Sequence, residues 1–198
     1  MASVGFVPSA EGEEWILERL DHPALPAWVA TSPEGRVAGI TVRETSVLEA
    51  LARRRGARLT RSGGGRPSAA LRQLEEYLAG TRRDFELEIL ADPAASAFEQ
   101  AAWEALCAIP FGEVRSYGQQ ARMLGKPGAA RAVGRANGRN PVAVVVPCHR
   151  IIGSDGSLTG FTGGLSRKRW LLAHEGVRLR PDAGPSAPVP DNQLSLGL

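Results

Sequence analysis

Ser116-Tyr-Gly-Gln-Gln-Ala-Arg-Met-Leu-Gly125, Lys126-Pro127 and Gly128-Ala-Ala-Arg-Ala-Val-Gly-Arg-Ala-Asn-Gly138 read as helix, turn, helix. Ser116 and Gln119 stand at capping-box spacing, Gly125 stops the first helix, and Pro127 marks the turn. This predicts a helix-turn-helix. The second helix is nearly all small residues with Arg131 and Arg135 interspersed. Its glycines make it an intrinsically poor helix, so something else favours small side chains. Close packing against neighbouring helices is one reason. Close approach to a nucleic-acid minor groove, with Arg131 reaching in, is the other.

Downstream, Asn140-Pro-Val-Ala-Val-Val-Val-Pro-Cys-His-Arg150 sets five apolar residues, Val142 to Val146, between two prolines. That pattern predicts a short buried strand stopped by Pro147. A thiol, an imidazole and a guanidinium follow at once: Cys148, His149 and Arg150. Side chains held where a buried strand ends are fixed by rigid structure yet open toward a pocket. A buried structural cysteine beside a surface His and Arg is the competing reading. Adjacent residues rarely face each other, so Cys148 and His149 would communicate through a water, with Glu175 as the orienting carboxylate. Ile151-Ile-Gly-Ser-Asp-Gly156 reads as a hairpin-like turn and Thr159-Gly-Phe-Thr-Gly-Gly164 as a glycine-rich loop. Ser166 is expected to cap a last helix, Arg167 to Glu175. Its Arg167-Lys-Arg169 turn has the wrong sign for the helix dipole, so these cations either meet phosphate or are simply solvated.

Upstream, Ser96-Ala-Phe-Glu99 is another capping box, opening a helix with Phe98, Ala102, Ala105, Leu106 and Ile109 on its apolar face. Cys107 within it reads as packing. Ala91-Asp-Pro93 marks a boundary, giving domains 1–92 and 93–178 and a tail, 179–198. Residues 1–25 read as a loose lead-in with one short helical stretch, Glu13 to Leu20. Ala27–Thr31 and Arg36–Arg43 form a hairpin about Ser32-Pro-Glu-Gly35. Thr45–Arg54 and Ser68–Ala79 are expected helices, Arg53–Arg66 a mobile loop, and Arg83–Leu90 a strand. This first α+β unit carries no visible chemistry and is expected to support the second.

The chain has 198 residues, enough for one or two domains with a real core. Two cysteines are too few for a disulfide scaffold, and the three histidines lie at no zinc-ligand spacing, so neither metal nor cofactor is expected. No apolar run nears the length of a membrane span, and no leader precedes the chain, which points to a cytoplasmic protein. The net charge of +3 is uneven: residues 93–178 carry 11 Lys and Arg against 5 Asp and Glu. The half that holds Cys148 is the basic one, as a surface facing phosphate would be, although a solvated face reads the same way.

Taken together, Pro147-Cys-His-Arg150, Asn140-Pro141, Ala129-Ala-Arg-Ala-Val-Gly134, Tyr117, Gly163-Gly164 and Leu171-Leu-Ala-His-Glu-Gly176 resemble the methylated-DNA–protein-cysteine methyltransferases, or O6-alkylguanine-DNA alkyltransferases. The resemblance covers about residues 68–178. It implies a small α/β, ribonuclease H-like N-terminal domain and a C-terminal helix-turn-helix, winged-helix-like domain, α+β overall. Cys148 would accept the alkyl group, with His149 acting through water and Glu175, Asn140 ordering the network, and Tyr117 donating to the departing base. Ala129, Ala130, Arg131, Gly134, Arg135 and Arg150 would meet DNA, Arg131 filling the place of a flipped nucleotide. Phe161, where many relatives have Tyr, would stack on the base in a pocket with Thr162, Gly163, Val146 and Pro147. The thioether product is not reversed by thiol exchange, so the resemblance implies one turnover per molecule.

The expected partner is double-stranded DNA bearing O6-alkylguanine, met by a monomer in the cytoplasm and associated with the nucleoid. Residues 179–192 are expected to be disordered. The terminal Gln193-Leu-Ser-Leu-Gly-Leu198 resembles the short peptide by which bacterial repair and replication proteins bind the sliding clamp, with a chance tail as the alternative. The competing functions are a non-catalytic lesion sensor, a helix-turn-helix regulator with Cys148 as redox switch, and a cysteine hydrolase. The presence of Cys148 argues against the first, and the lack of bulky base-reading side chains on the second helix argues against the regulator. No strong oxyanion signature supports the hydrolase.

Overall fold

The computed structural model describes residues 4–9 and 12–178; the tail, with its expected disorder and clamp-like peptide, lies outside them. The chain forms a mixed α/β structure of two compact units. One takes in the chain up to Ala95 together with Pro141–Val145, the other Ser96–Asn140 together with the described residues from Val146.

The first unit is built on strands β1 (Val4–Val7), β2 (Glu14–Leu20), β3 (Ala27–Thr31), β4 (Val37–Thr41), β5 (Arg58–Arg61) and β6 (Leu87–Leu90), with helices α1 (Ser46–Arg54) and α2 (Ala69–Leu78). The sheet runs β1-β6-β4-β3-β2-β5. Its β2-β3-β4 centre is antiparallel, while β1 on β6, β6 on β4 and β5 on β2 are parallel. Trp15, Leu17, Ala30 and Ala38 of the sheet close against Leu48, Leu51 and Ala52 of α1. The packing is tight at Gly39: a Cβ would stand 2.7 Å from Leu48 Cδ2, which would have to shift.

Three expectations for this unit are corrected. Within the expected helical stretch Glu13–Leu20, residues Glu14–Leu20 form strand β2, because pairing with β3 on one side and β5 on the other outweighs local helical spacing. The expected loop 53–66 contains β5, which hydrogen-bonds along β2. Val142–Val146 forms no continuous strand. Val142 makes an isolated parallel bridge to Ile40, with Ile40 N–H donating to Pro141 O at 2.9 Å and Ala143 N–H to Ile40 O at 3.0 Å. Val144 then turns the chain at φ +75°, a left-handed value that is strained for a β-branched residue.

The second unit contains α3 (Ala97–Cys107), β7 (Arg115–Ser116), α4 (Tyr117–Met123), α5 (Ala130–Gly138), a 3₁₀ turn (Cys148–Arg150), β8 (Ile151–Ile152) and α6 (Leu165–His174). Both capping boxes form as the local sequence dictates: Ser96 with Glu99 starts α3, and Ser116 with Gln119 starts α4. The short strands β7 and β8 pair in parallel. Val114, Ile152, Leu172 and Val177 make a small core beside them. Ser166 is not the cap of α6. The chain enters from Gly164 at φ +89°, and no side chain caps the helix. Among the described residues no helix is long and apolar enough to cross a membrane.

Candidate active site

The 3₁₀ turn starts at Cys148, whose residue is 8 % exposed. Asn140 Nδ2 donates both to Val146 O at 2.8 Å and to Cys148 Sγ at 3.3 Å, so one amide fixes the turn and touches the sulfur. Burial pushes the Cys148 thiol above its ordinary value, opposed by the Asn140 hydrogen bond and the Lys168 charge. A resting thiol therefore needs a base to ionise it.

His149 is fully buried, and its Nε2 lies 2.9 Å from Glu175 Oε1. Burial lowers the His149 pKa despite the opposing Glu175 carboxylate, so the imidazole is neutral. For Glu175, burial raises the pKa, but the hydrogen bond from His149 and the hydrogen bonds and charge of Arg150 together hold it below the ordinary range. An ionised carboxylate only accepts, so Nε2 carries the imidazole proton and Nδ1 is left with a lone pair. That Nδ1 is buried without a hydrogen-bond partner among the described residues.

Glu175 is held from several sides. Arg150 Nε reaches Oε2 at 2.9 Å, Arg150 Nη2 reaches Oε1 at 2.8 Å, and Gly112 N–H donates to Oε2 at 3.1 Å. The guanidinium also donates to Ile109 O at 2.6 Å. Arg150, expected at the DNA, is instead an internal residue that anchors Glu175. Gly112 must be glycine here: its φ is +79°, and a Cβ would lie 2.9 Å from Glu175 O.

Lys168 was expected on phosphate or in solvent, yet it is fully buried. Its ammonium donates to Ile151 O and, at 2.6 Å, to Thr159 O, with Gly160 O at 3.4 Å. Burial brings its pKa down to about 8. This role was missed in the sequence. One faint signal existed: Lys126 and Lys168 are the only lysines among 24 basic residues.

A cleft of ≈ 180 Å³ is lined by Tyr117, Gly134, Asn137, Gly138, Cys148, Gly160, Phe161 and Thr162. Val146, Pro147 and Gly163, expected to line it, do not. Tyr117 Oη donates to Thr159 O at 3.3 Å, and burial raises its pKa, so it stays protonated as a donor. Phe161 meets His149 edge to face, with ring centroids 6.4 Å apart. Thr162 Oγ1 donates to Gly138 O at 3.3 Å.

On α5, Val133, Ala136 and Asn137 are buried, whereas Arg131 and Arg135 are exposed. Ala129, Ala130 and Gly134 are half-buried, Gly134 next to the Tyr117 ring. Trp103 Nε1 donates to Ala136 O at 2.9 Å, joining α3 to α5. The α5 residues therefore divide between packing and an open face. Cys107 is raised to about 11 by burial, as a packing thiol would be.

Residues 97–177 match the model of the 6-O-methylguanine DNA methyltransferase DNA-binding domain. A methylated-DNA–protein-cysteine methyltransferase of Mycobacterium tuberculosis is 52 % identical over 115 residues, 58 % of this chain and 68 % of that protein. One from Shigella flexneri is 40 % identical over 167 residues, 82 % and 96 % of the two chains. The crystal structure of Mycobacterium tuberculosis OGT in complex with DNA superposes with a TM-score of 0.68 at 38 % identity, covering 81 % of this chain and 93 % of that one. The chain belongs to the methylated-DNA–protein-cysteine methyltransferase family.

Proposed function

We propose that this protein repairs alkylated duplex DNA by moving the alkyl group from O6 of guanine, and from O4 of thymine as a second substrate, onto Cys148 Sγ, once per molecule. The observation that carries the reading is Cys148 itself. It lines a cleft of ≈ 180 Å³, and the adjacent residue begins a buried His149–Glu175–Arg150 chain.

The thiol proton passes through a water to His149 Nδ1, the atom left with a lone pair. Glu175 stabilises the imidazolium as it forms. The Sγ lone pair bonds to the alkyl carbon as the carbon–O6 bond breaks, and that bond's electron pair stays on the base. Tyr117 gives its proton to the departing base and recovers one from the imidazolium through water, so the proton lost by the thiol is in sum the one the base gains. Asn140 holds the sulfur, and Phe161 stacks on the base above it. A thioether has no exchange route back to thiol, which limits each molecule to one transfer.

For the base to reach Cys148, the nucleotide leaves the stack. Helix α5 lies in the minor groove with Ala129, Ala130 and Gly134 at the backbone and Arg135 on phosphate, and Arg131 fills the vacated place. On this reading residues 93–178 are the winged-helix-like DNA and acceptor domain, and residues 1–92 a ribonuclease H-like support. The protein works as a cytoplasmic, nucleoid-associated monomer, with residues 193–198 as a clamp-binding tag.

The test is intact mass after incubation with a duplex holding one O6-methylguanine, beside a Cys148→Ala control. The expected result is a gain of one methylene per protein, saturating at one equivalent and absent in the control. Tight lesion binding with no mass change would replace this reading with that of a sensor.

A further inference from the structure

One polar side chain in the cleft wall has no part in the reaction just described. Asn137 lines the cleft, yet its residue is only 7 % exposed, because its amide is paired with that of Gln120 on α4. Asn137 Nδ2 donates to Gln120 Oε1 at 2.8 Å, and Gln120 Nε2 returns a bond to Asn137 Oδ1 at 3.2 Å. Gln120 is fully buried, and its Nε2 also donates to Ala102 O of α3 at 3.0 Å.

These three bonds fix which way both amides point. Ala102 O is a carbonyl and only accepts, so Gln120 must turn its NH2 toward α3. Its Oε1 then faces the other edge of the pair, and only an N–H of Asn137 satisfies it there. In such a two-bond ring, each amide keeps one outer N–H, and the two point to opposite edges. That of Gln120 goes to Ala102 O. That of Asn137 lies on the edge away from α3, and no α3 residue lines the cleft. Apolar Val133 and Ala136 fill the same buried face of α5, so packing alone does not call for an amide at this position.

We infer that Asn137 is a specificity-determining residue that donates its outer N–H to an acceptor atom on the edge of the extruded base, with Gln120 as the residue that orients it. This rests on the proposed alkyl transfer to Cys148. A donor fixed in this way favours a base that presents an acceptor at that place and disfavours one that presents a donor or a C–H.

The test exploits an asymmetry in buried amide pairs. Removing one partner strands the other, whereas replacing both with apolar groups of similar shape is close to neutral for stability. Gln120→Leu with Asn137→Leu therefore keeps the helix packing while deleting the donor. Single-turnover transfer is followed by intact mass on duplexes containing O6-methylguanine or its 3-deaza and 7-deaza analogues, each lacking one ring acceptor. In the expected result, the double variant binds undamaged duplex as the parent does and transfers from O6-methylguanine about tenfold more slowly, the loss of roughly one hydrogen bond. One deaza analogue reacts slowly with the parent protein, and the double variant does not slow further on it. Equal rates for parent and double variant on O6-methylguanine overturn the inference and leave the amide pair a packing device. Absence of any mass gain in the parent instead overturns the transfer reaction itself.

A second measurement needs no change at the amide pair. In Cys148→Ala protein, the side-chain NH2 resonances of Asn137 are followed on titration with lesion or undamaged duplex. One of the two protons is expected to shift with the lesion duplex alone. Identical spectra with bound lesion and bound undamaged DNA refute the contact.

Discussion

Replacing Glu175 with glutamine tests the buried charge chain with almost no change of shape. The carboxylate accepts from His149 Nε2, from Arg150 Nε and Nη2, and from Gly112 N–H. An amide has one oxygen, so its NH2 must face a donor on one side. Arg150, 6 % exposed, then keeps its charge without a counter-charge. Breaking a buried pair in this way costs about 3–5 kcal/mol. For a unit of this size that lowers Tm by roughly 12 °C or more. Chemistry suffers separately. If the amide NH2 turns to His149, Nε2 becomes the acceptor, the ring proton moves to Nδ1, and the base is lost. Single-turnover transfer, measured well below the variant's Tm at pH 7, should fall by about a hundredfold or more. Raising the pH should restore part of it, because the thiol then ionises without help. The sign of the stability effect also follows. Glu175 has a depressed folded pKa, so its contribution is complete above the ordinary value of 4.5 and is lost as pH falls below it. Scanning calorimetry of parent and Glu175→Gln should therefore converge in acid. A variant as stable as the parent at pH 7, with an unchanged transfer rate, would show that neither the charge chain nor the tautomer matters.

Three further outcomes follow from the same geometry. Because burial depresses the His149 pKa below 6.5, the single-turnover rate should stay flat through pH 6.5 and fall only below it, and a midpoint at or above 6.5 contradicts a neutral buried imidazole. Arg131→Ala should slow transfer from duplex DNA with Tm unchanged and leave reaction with a free O6-alkylguanine base intact, whereas Arg135→Ala should reduce the salt slope of DNA binding by about one; an Arg131→Ala defect on the free base places the fault in the cleft instead. Lys168 has a folded pKa of about 8 against an ordinary 10.5, so folding is penalised below pH 8 and the penalty is relieved as pH rises between the two. In a Cys148→Ala background, which removes the opposing thiol titration, Tm should gain from that relief across pH 8–10.5, and Lys168→Met should abolish the gain.

What the sequence disclosed depended on how far apart the interacting residues stand. The capping boxes at Ser96 and Ser116 were readable because both partners lie within one turn, and each formed as spelled. The spacing of Glu13–Leu20 suggests a helix, but the strand state of Glu14–Leu20 is set by β3 and β5, neither visible from that spacing. Val142–Val146 looked like a strand because burial and strand pairing leave the same apolar signature; here burial comes with one bridge and a turn at Val144. At the site, Asn140, Cys148, His149 and Glu175 were singled out by motif, and the fold brings Asn140 to the sulfur and Glu175 to the imidazole. The inward turn of Arg150 and Lys168 could not be read, because a cation's direction depends on carbonyls and a carboxylate from distant segments.

Those inward cations bear on where the proton must finish in the proposed reaction. Arg150, Lys168 and Glu175 together leave one buried positive charge beside a neutral thiol and a neutral imidazole. Moving the thiol proton to His149 keeps that sum unchanged, since a thiolate appears as an imidazolium does. Alkylation then removes the thiolate. If the proton stayed on His149, two uncompensated positive charges would remain inside the protein, each carrying a desolvation cost of several kcal/mol. The departing base, which has just received an electron pair on oxygen, is the acceptor at hand. Tyr117, kept protonated by its burial and placed on the cleft wall, passes its proton to that base and takes one in turn from the imidazolium through water. Internal charge balance thus requires what leaving-group chemistry also favours, that guanine departs neutral and the protein ends with no more buried charge than it began with.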